Sequence, residues 1–174
     1  MEAAAHPIAR RHVGRGALAS SITVAGLGAA AVDATYFTVK ALVAGASPVG
    51  VLRAIAGFWL GKAAAADGLE SPVIGAATHV GLAMVMAAGF VLLQPRLKGL
   101  RGPALLVGPA YGVGLYVVMY FIVLPLRWPG RFPSFDGWAT LGDVLVHAAV
   151  GLAIVRLARR GSARAHDEGR PGAD

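Results

Sequence analysis

The chain has 174 residues, 56% of them hydrophobic and 14% charged, with a formal charge of +7 and no cysteine. Soluble domains carry about 25% charged residues, so the composition argues against a water-soluble globule and makes lipid the expected solvent. The missing cysteines exclude disulfides and thiolate metal sites. The basic residues flank apolar runs and form no stripe with stacking aromatics, which fits an anionic membrane surface and not nucleic acid.

A bilayer core of about 30 Å takes about 20 apolar residues per helix. Residues 1–16 form a basic arm containing Arg10, Arg11 and Arg15. The first span covers residues 17–43. An apolar core of about 7–15 residues would suit a cleavable secretory signal. This run continues past Ala34 through Tyr36, Phe37 and Val39, so it is read as a retained span. Residues 47–66 hold Arg53, Trp59 and Lys62 in an apolar stretch too short and too charged to span, and predict an amphipathic or re-entrant helix on the outer side. The second span covers 72–93 and the third 103–126, each opening on a proline (Pro72, Pro103), which a first helical turn tolerates. Pro125 and Pro129 are expected to end the third helix. The fourth span covers 138–157, and residues 161–174 are predicted to form a disordered polar tail. The fold class is therefore all-α: a polytopic membrane protein of four transmembrane helices.

Orientation follows from lysine and arginine in the short flanks. Eleven of the sixteen lie in the N-terminal arm, the loop after the second span and the tail; four (Arg53, Lys62, Arg127, Arg131) lie on the opposite side. Both termini are thus expected in the cytoplasm of a bacterial inner membrane. Trp59, Trp128 and Trp138 then fall together at the outer interface. Lys40, inside the first span, is expected to snorkel to the headgroups, two turns from Asp33 and out of its reach. Tyr36-Phe37 echoes Tyr120-Phe121, and Gly81-Leu82-Ala83 echoes Gly151-Leu152-Ala153, suggesting two similar hairpins.

The chemistry-bearing residues are the ionisable ones inside the spans: Asp33, His79, Asp143 and His147, with Tyr116 and Tyr120. A charge at a helix centre costs about 2.5–3.5 kcal/mol on insertion scales, so these groups should face the bundle and one another. Each shares a helical face with small residues: Gly26, Ala29 and Ala30 with Asp33; Gly75 and Ala83 with His79; Gly108 and Gly112 with the tyrosines; Gly151 with Asp143 and His147. Small residues mark helix contacts in lipid. Three readings stay open. The polar groups satisfy one another and fix helix register; or they handle protons, since imidazole beside carboxylate changes charge near neutral pH; or His79 and His147 hold haem iron or, with the aspartates, a divalent metal. No cofactor is predicted outright. No nucleophile elbow, phosphate loop or zinc-protease helix occurs, so a soluble-type enzyme mechanism has no support.

Leu52-Arg53-Ala54-Ile55-Ala56-Gly57, Thr78-His79, Tyr111-Gly112, Val123-Leu124-Pro125-Leu126 and His147 carry a resemblance to uncharacterised small bacterial membrane proteins, the YagU-like inner-membrane proteins. Val146 stands where that pattern would have glycine before the histidine. The resemblance implies the four-span topology and the two histidines and no settled activity. The reading is a membrane protein whose partner is the lipid bilayer, with a small transport or proton-linked role as the leading function and a structural or assembly role as the alternative. A homo-oligomeric or other membrane partner stays open.

Overall fold

The computed structural model describes residues 15–65 and 68–168. Its helices are, in chain order, α1 (Arg15–Val43), α2 (Pro48–Leu60), α3 (Glu70–Leu93), α4 (Ala104–Val118), α5 (Leu124–Arg127) and α6 (Gly137–Glu168). A five-residue π turn, Met119–Val123, joins α4 to α5 in one continuous rod. Four helices are long and apolar enough to cross a membrane: α1, α3, the α4–α5 rod and α6. No sheet occurs among the described residues. The four run up and down. One end of the bundle, the basic end, holds the start of α1, the connection 94–103 and the last turns of α6. The other end carries α2.

The local chemistry explains the breaks. α1 stops at Gly45, whose φ of +67° suits a residue without Cβ. There the amides of Gly45 and Ala46 return to the carbonyls of Leu42 and Ala41 (3.0 and 2.8 Å), capping two orphan acceptors. Ser47 then caps α2 by accepting from the Val49 amide at 3.2 Å, with Pro48 in the first turn. The third span ends at Arg127, between Pro125 and Pro129 and one residue past the expected limit. A proline ring collides with the carbonyl four residues earlier, here Phe121. The widened turn at Met119–Val123 lies across that position and lets the helix continue. α6 runs to Glu168, so helix extends into the stretch 161–174 expected to be disordered. Residues 169–174 and the arm up to residue 14 lie outside the described residues.

Packing in lipid rests on close backbone approach, because burial of apolar surface offers little drive there. The bundle follows that rule. A Cβ on Gly112 would fall on the carbonyl of His147, and one on Gly151 would meet Gly108 and Gly112, so α4 and α6 touch backbone to backbone. A Cβ on Gly75 would fall on the Leu52 carbonyl, where α2 crosses α3. α6 packs along both α4 and α1, while α3 packs on α1 and α2. The α3–α4 seam is looser and bridged by side chains: Tyr111 donates to the Met86 carbonyl (2.7 Å), and its ring meets Phe90 edge-on at 5.4 Å. A repeat of two identical hairpins would close the α3–α4 and α1–α6 seams equally; here only the second is closed. Arg159 pins the basic end by donating to the carbonyls of Leu100 and Gly102 at 2.8 and 2.9 Å.

Candidate functional site

All six polar residues read from the spans lie on the interior of the bundle, in two adjoining groups of different character. The first centres on Asp143, one turn and a half into α6. Its Oδ1 accepts from Tyr36 Oη at 2.8 Å and from Lys40 Nζ at 2.6 Å; its Oδ2 accepts from Tyr120 Oη at 3.0 Å. The donors come from α1 and from the π turn, so one carboxylate ties three segments. Gly142 makes room: a Cβ there would meet the Tyr36 hydroxyl at 2.5 Å. Tyr116 lies against Tyr120 with ring centroids 4.4 Å apart, and both rings meet His147 edge-on at 5.5 and 5.9 Å.

Lys40 corrects the sequence reading. It does not snorkel away but turns back along α1 to pair with Asp143, its side chain 39% exposed against 12% for the acid. The signal was present: Lys40 sits one turn beyond Tyr36 and two beyond Asp33, on the same helical face. In the sequence Tyr36 reads as part of the apolar run and as half of a repeated Tyr-Phe pair, not as a polar group of the site. The structure gives that pair a shared partner, since Tyr36 and Tyr120 grip Asp143 through different oxygens.

The second group is less satisfied. His79 Nε2 donates to the Ala30 carbonyl at 3.2 Å, which turns Nδ1 toward Asp33 Oδ2 at 3.7 Å. That separation is an ion-pair distance and too long for a hydrogen bond. The other oxygen of Asp33, Oδ1, is buried and has no hydrogen-bond partner. His147 Nδ1 donates to the carbonyl of Asp143, one turn earlier, at 2.7 Å. A carbonyl can only accept, so His147 carries a hydrogen on Nδ1, and in the neutral ring its Nε2 presents a lone pair.

Asp33, His79, His147 and Tyr120 all line one cavity of about 160 Å³, whose remaining wall includes Ala29, Leu82, Met119 and Leu124. A water occupies about 30 Å³ in the liquid, and a buried water needs two to four polar partners. The cavity therefore has room and partners for several waters, and the unpartnered Asp33 Oδ1 is one such partner. On its basic side the next residues along the helices are Ala25, Ala87, Phe90 and Ile154, all fully buried.

Ligation of a metal fits poorly. Among the described residues no three of His, Asp and Glu gather closely enough to hold an ion. One nitrogen of each histidine is taken by a carbonyl, and a cavity of about 160 Å³ is too small for a porphyrin. The chain matches no family model, no curated protein and no solved structure.

Proposed function

We propose that the chain is a small proton-linked transport protein of the bacterial cytoplasmic membrane, with both termini cytoplasmic. In this reading Asp33, His79 and His147 take up and pass a proton through the water of the central cavity. Asp143 holds the assembly in register and does no proton chemistry.

One observation carries the division of roles. Both oxygens of Asp143 are occupied by donors, and Lys40 balances its charge. On Asp33, in contrast, Oδ1 receives no protein donor, and the acid shares one cavity with both imidazoles. The free acceptor of Asp33 suits cavity water, which can link the acid to the imidazoles. An imidazole and a carboxylate separated by a water-filled gap are the parts of a proton relay. The position of the fully buried layer supports access from the α2 end, leaving passage to the basic end to a rearrangement.

Reconstitution tests the reading. Proteoliposomes containing a pH-sensitive dye should show proton flux above empty vesicles under an imposed pH gradient. Asp33→Asn and His147→Gln should each lower it at least about tenfold, consistent with the usual weight of a positioned acid or base, with unchanged helicity and elution volume. Wild-type flux equal to that of empty vesicles, or full flux in both variants, leaves the structural role. The absence of native cysteine makes orientation directly readable: Gly99→Cys should resist an impermeant maleimide added outside cells, and Ser134→Cys should react.

A further inference from the structure

The α2 end carries a second recess. α2, the 3-10 turn that follows it (Gly61–Ala65) and residues 124–132 enclose a cleft of about 880 Å³. Its lining includes Arg53, Lys62, Arg127 and Arg131, and no acidic residue among the described ones. These four are all the lysines and arginines assigned to this end of the bundle. Among the described residues the close acid–base contacts lie elsewhere, at Asp143 and Asp33, and none of them joins a cation of the cleft to a carboxylate.

The cations differ in how firmly they are held. Arg127 is fixed: its Nε donates to the Phe58 carbonyl at 2.7 Å, its Nη2 to the Gly57 carbonyl at 3.2 Å, and its guanidinium lies 5.6 Å from the Trp128 ring centre. Arg53 donates through Nη2 to the Gly68 carbonyl at 3.3 Å, while its Nε is buried without a partner. Lys62 and Arg131 are exposed at the rim. Four like charges around one concavity repel, and an anion in the middle relieves that repulsion. Guanidinium groups suit phosphate, whose oxygens match their forked donors.

A neighbouring feature selects the kind of phosphate. A crevice of about 510 Å³ runs between α2, α3 and the Met119–Val123 turn, lined by Phe58, Trp59, Leu82, Val85 and Val123 and almost wholly apolar. It shares Leu124 and Trp128 with the basic cleft. A charged recess thus adjoins an apolar furrow on the side of the bundle. We propose that the two together bind an anionic phospholipid, its phosphate among Arg53, Lys62, Arg127 and Arg131 and its hydrocarbon chain along the apolar crevice. The crevice shares the walls Leu82, Met119 and Leu124 with the central cavity, but the four cations of the cleft lie outside that cavity, and the proposal stands whether or not the cavity moves protons.

The test uses the full chain in nanodiscs of phosphatidylcholine, reading tryptophan quenching by probes with brominated chains. Dibrominated phosphatidic acid should quench saturably at a few per cent of the lipid, whereas dibrominated phosphatidylcholine should quench only in proportion to its amount. The Arg53→Gln/Arg131→Gln variant should raise the phosphatidic acid needed for half-saturation roughly tenfold, the scale of lost charge-assisted hydrogen bonds. Lys62→Gln should shift it in the same direction and serves if the double variant fails to fold. Arg96→Gln/Lys98→Gln, at the basic end, should leave it unchanged. Equal quenching by both lipids overturns the proposal, as does an unchanged midpoint in the cleft variants. Displacement by inorganic phosphate as effectively as by phosphatidic acid would make the ligand a soluble anion and also overturn it.

Discussion

Replacing Lys40 by methionine isolates the contact between α1 and α6. Lys40 Nζ and Asp143 Oδ1 are 2.6 Å apart, with the lysine 39% exposed and the acid 12%. Unit charges about 4 Å apart attract by about 4 kcal/mol at an effective dielectric near 20. Exposure of the lysine admits screening by water and headgroups, which roughly halves this, to about 2 kcal/mol. Lys40→Met strands a carboxylate held only by two phenols, so the loss should reach about 3 kcal/mol, at the low end for breaking a buried pair. Asp143→Asn should cost less, about 2 kcal/mol, because the freed lysine can then reach the headgroups. The double variant should be no worse than Lys40→Met alone, giving a coupling of about 2 kcal/mol. Reversible unfolding in mixed detergent micelles, followed by far-ultraviolet circular dichroism, measures all four corners of the cycle. A coupling within about 0.3 kcal/mol of zero, the scatter of independent sites, would mean that the lysine snorkels and that the pair contributes nothing.

Other consequences follow from the same geometry. Gly112→Val puts a side chain where the His147 carbonyl lies and should destabilise by at least about 2 kcal/mol. Gly114→Ala, which meets nothing within 4 Å, should stay within about 0.5 kcal/mol of wild type; thermal unfolding of the two compares them. Arg127→Gln removes the two charge-assisted bonds to Gly57 and Phe58, so amide exchange at the end of α2 should accelerate by at least about tenfold while that of α6 is unchanged. Leu124 lines the central cavity, the basic cleft and the apolar crevice alike. Leu124→Ala should open a wet path between cavity and cleft and raise proton flux severalfold, which the proteoliposome assay reads directly.

The four spans were legible because lipid imposes a length and a composition that no soluble helix needs together. The inward placement of Asp33, His79, Asp143 and His147 was legible for a related reason: each shares a face with small residues, and those faces are where helices meet. Lys40 was misread because a lysine near a helix end has two outlets, and only the partner helix decides between headgroups and Asp143. The end of the third span beside Pro125 was legible, but the π turn before it leaves no composition signature. The basic cleft was visible only as four charges counted for topology. Their convergence depends on α2 folding back over residues 124–132, a contact between segments about 70 positions apart that no local pattern encodes.

Asp33, His79 and His147 line one cavity, and the two histidines are anchored to backbone carbonyls through opposite ring nitrogens. Solid-state nitrogen NMR on histidine-labelled protein in bilayers, with His6, His12 and His166 replaced by glutamine, reads both parts at once. The expected result is neutral His147 protonated at Nδ1, His79 protonated at Nε2, and magnetisation transfer from water to both rings that weakens in Asp33→Asn. Dry rings, or His147 carrying its hydrogen on Nε2, would contradict it.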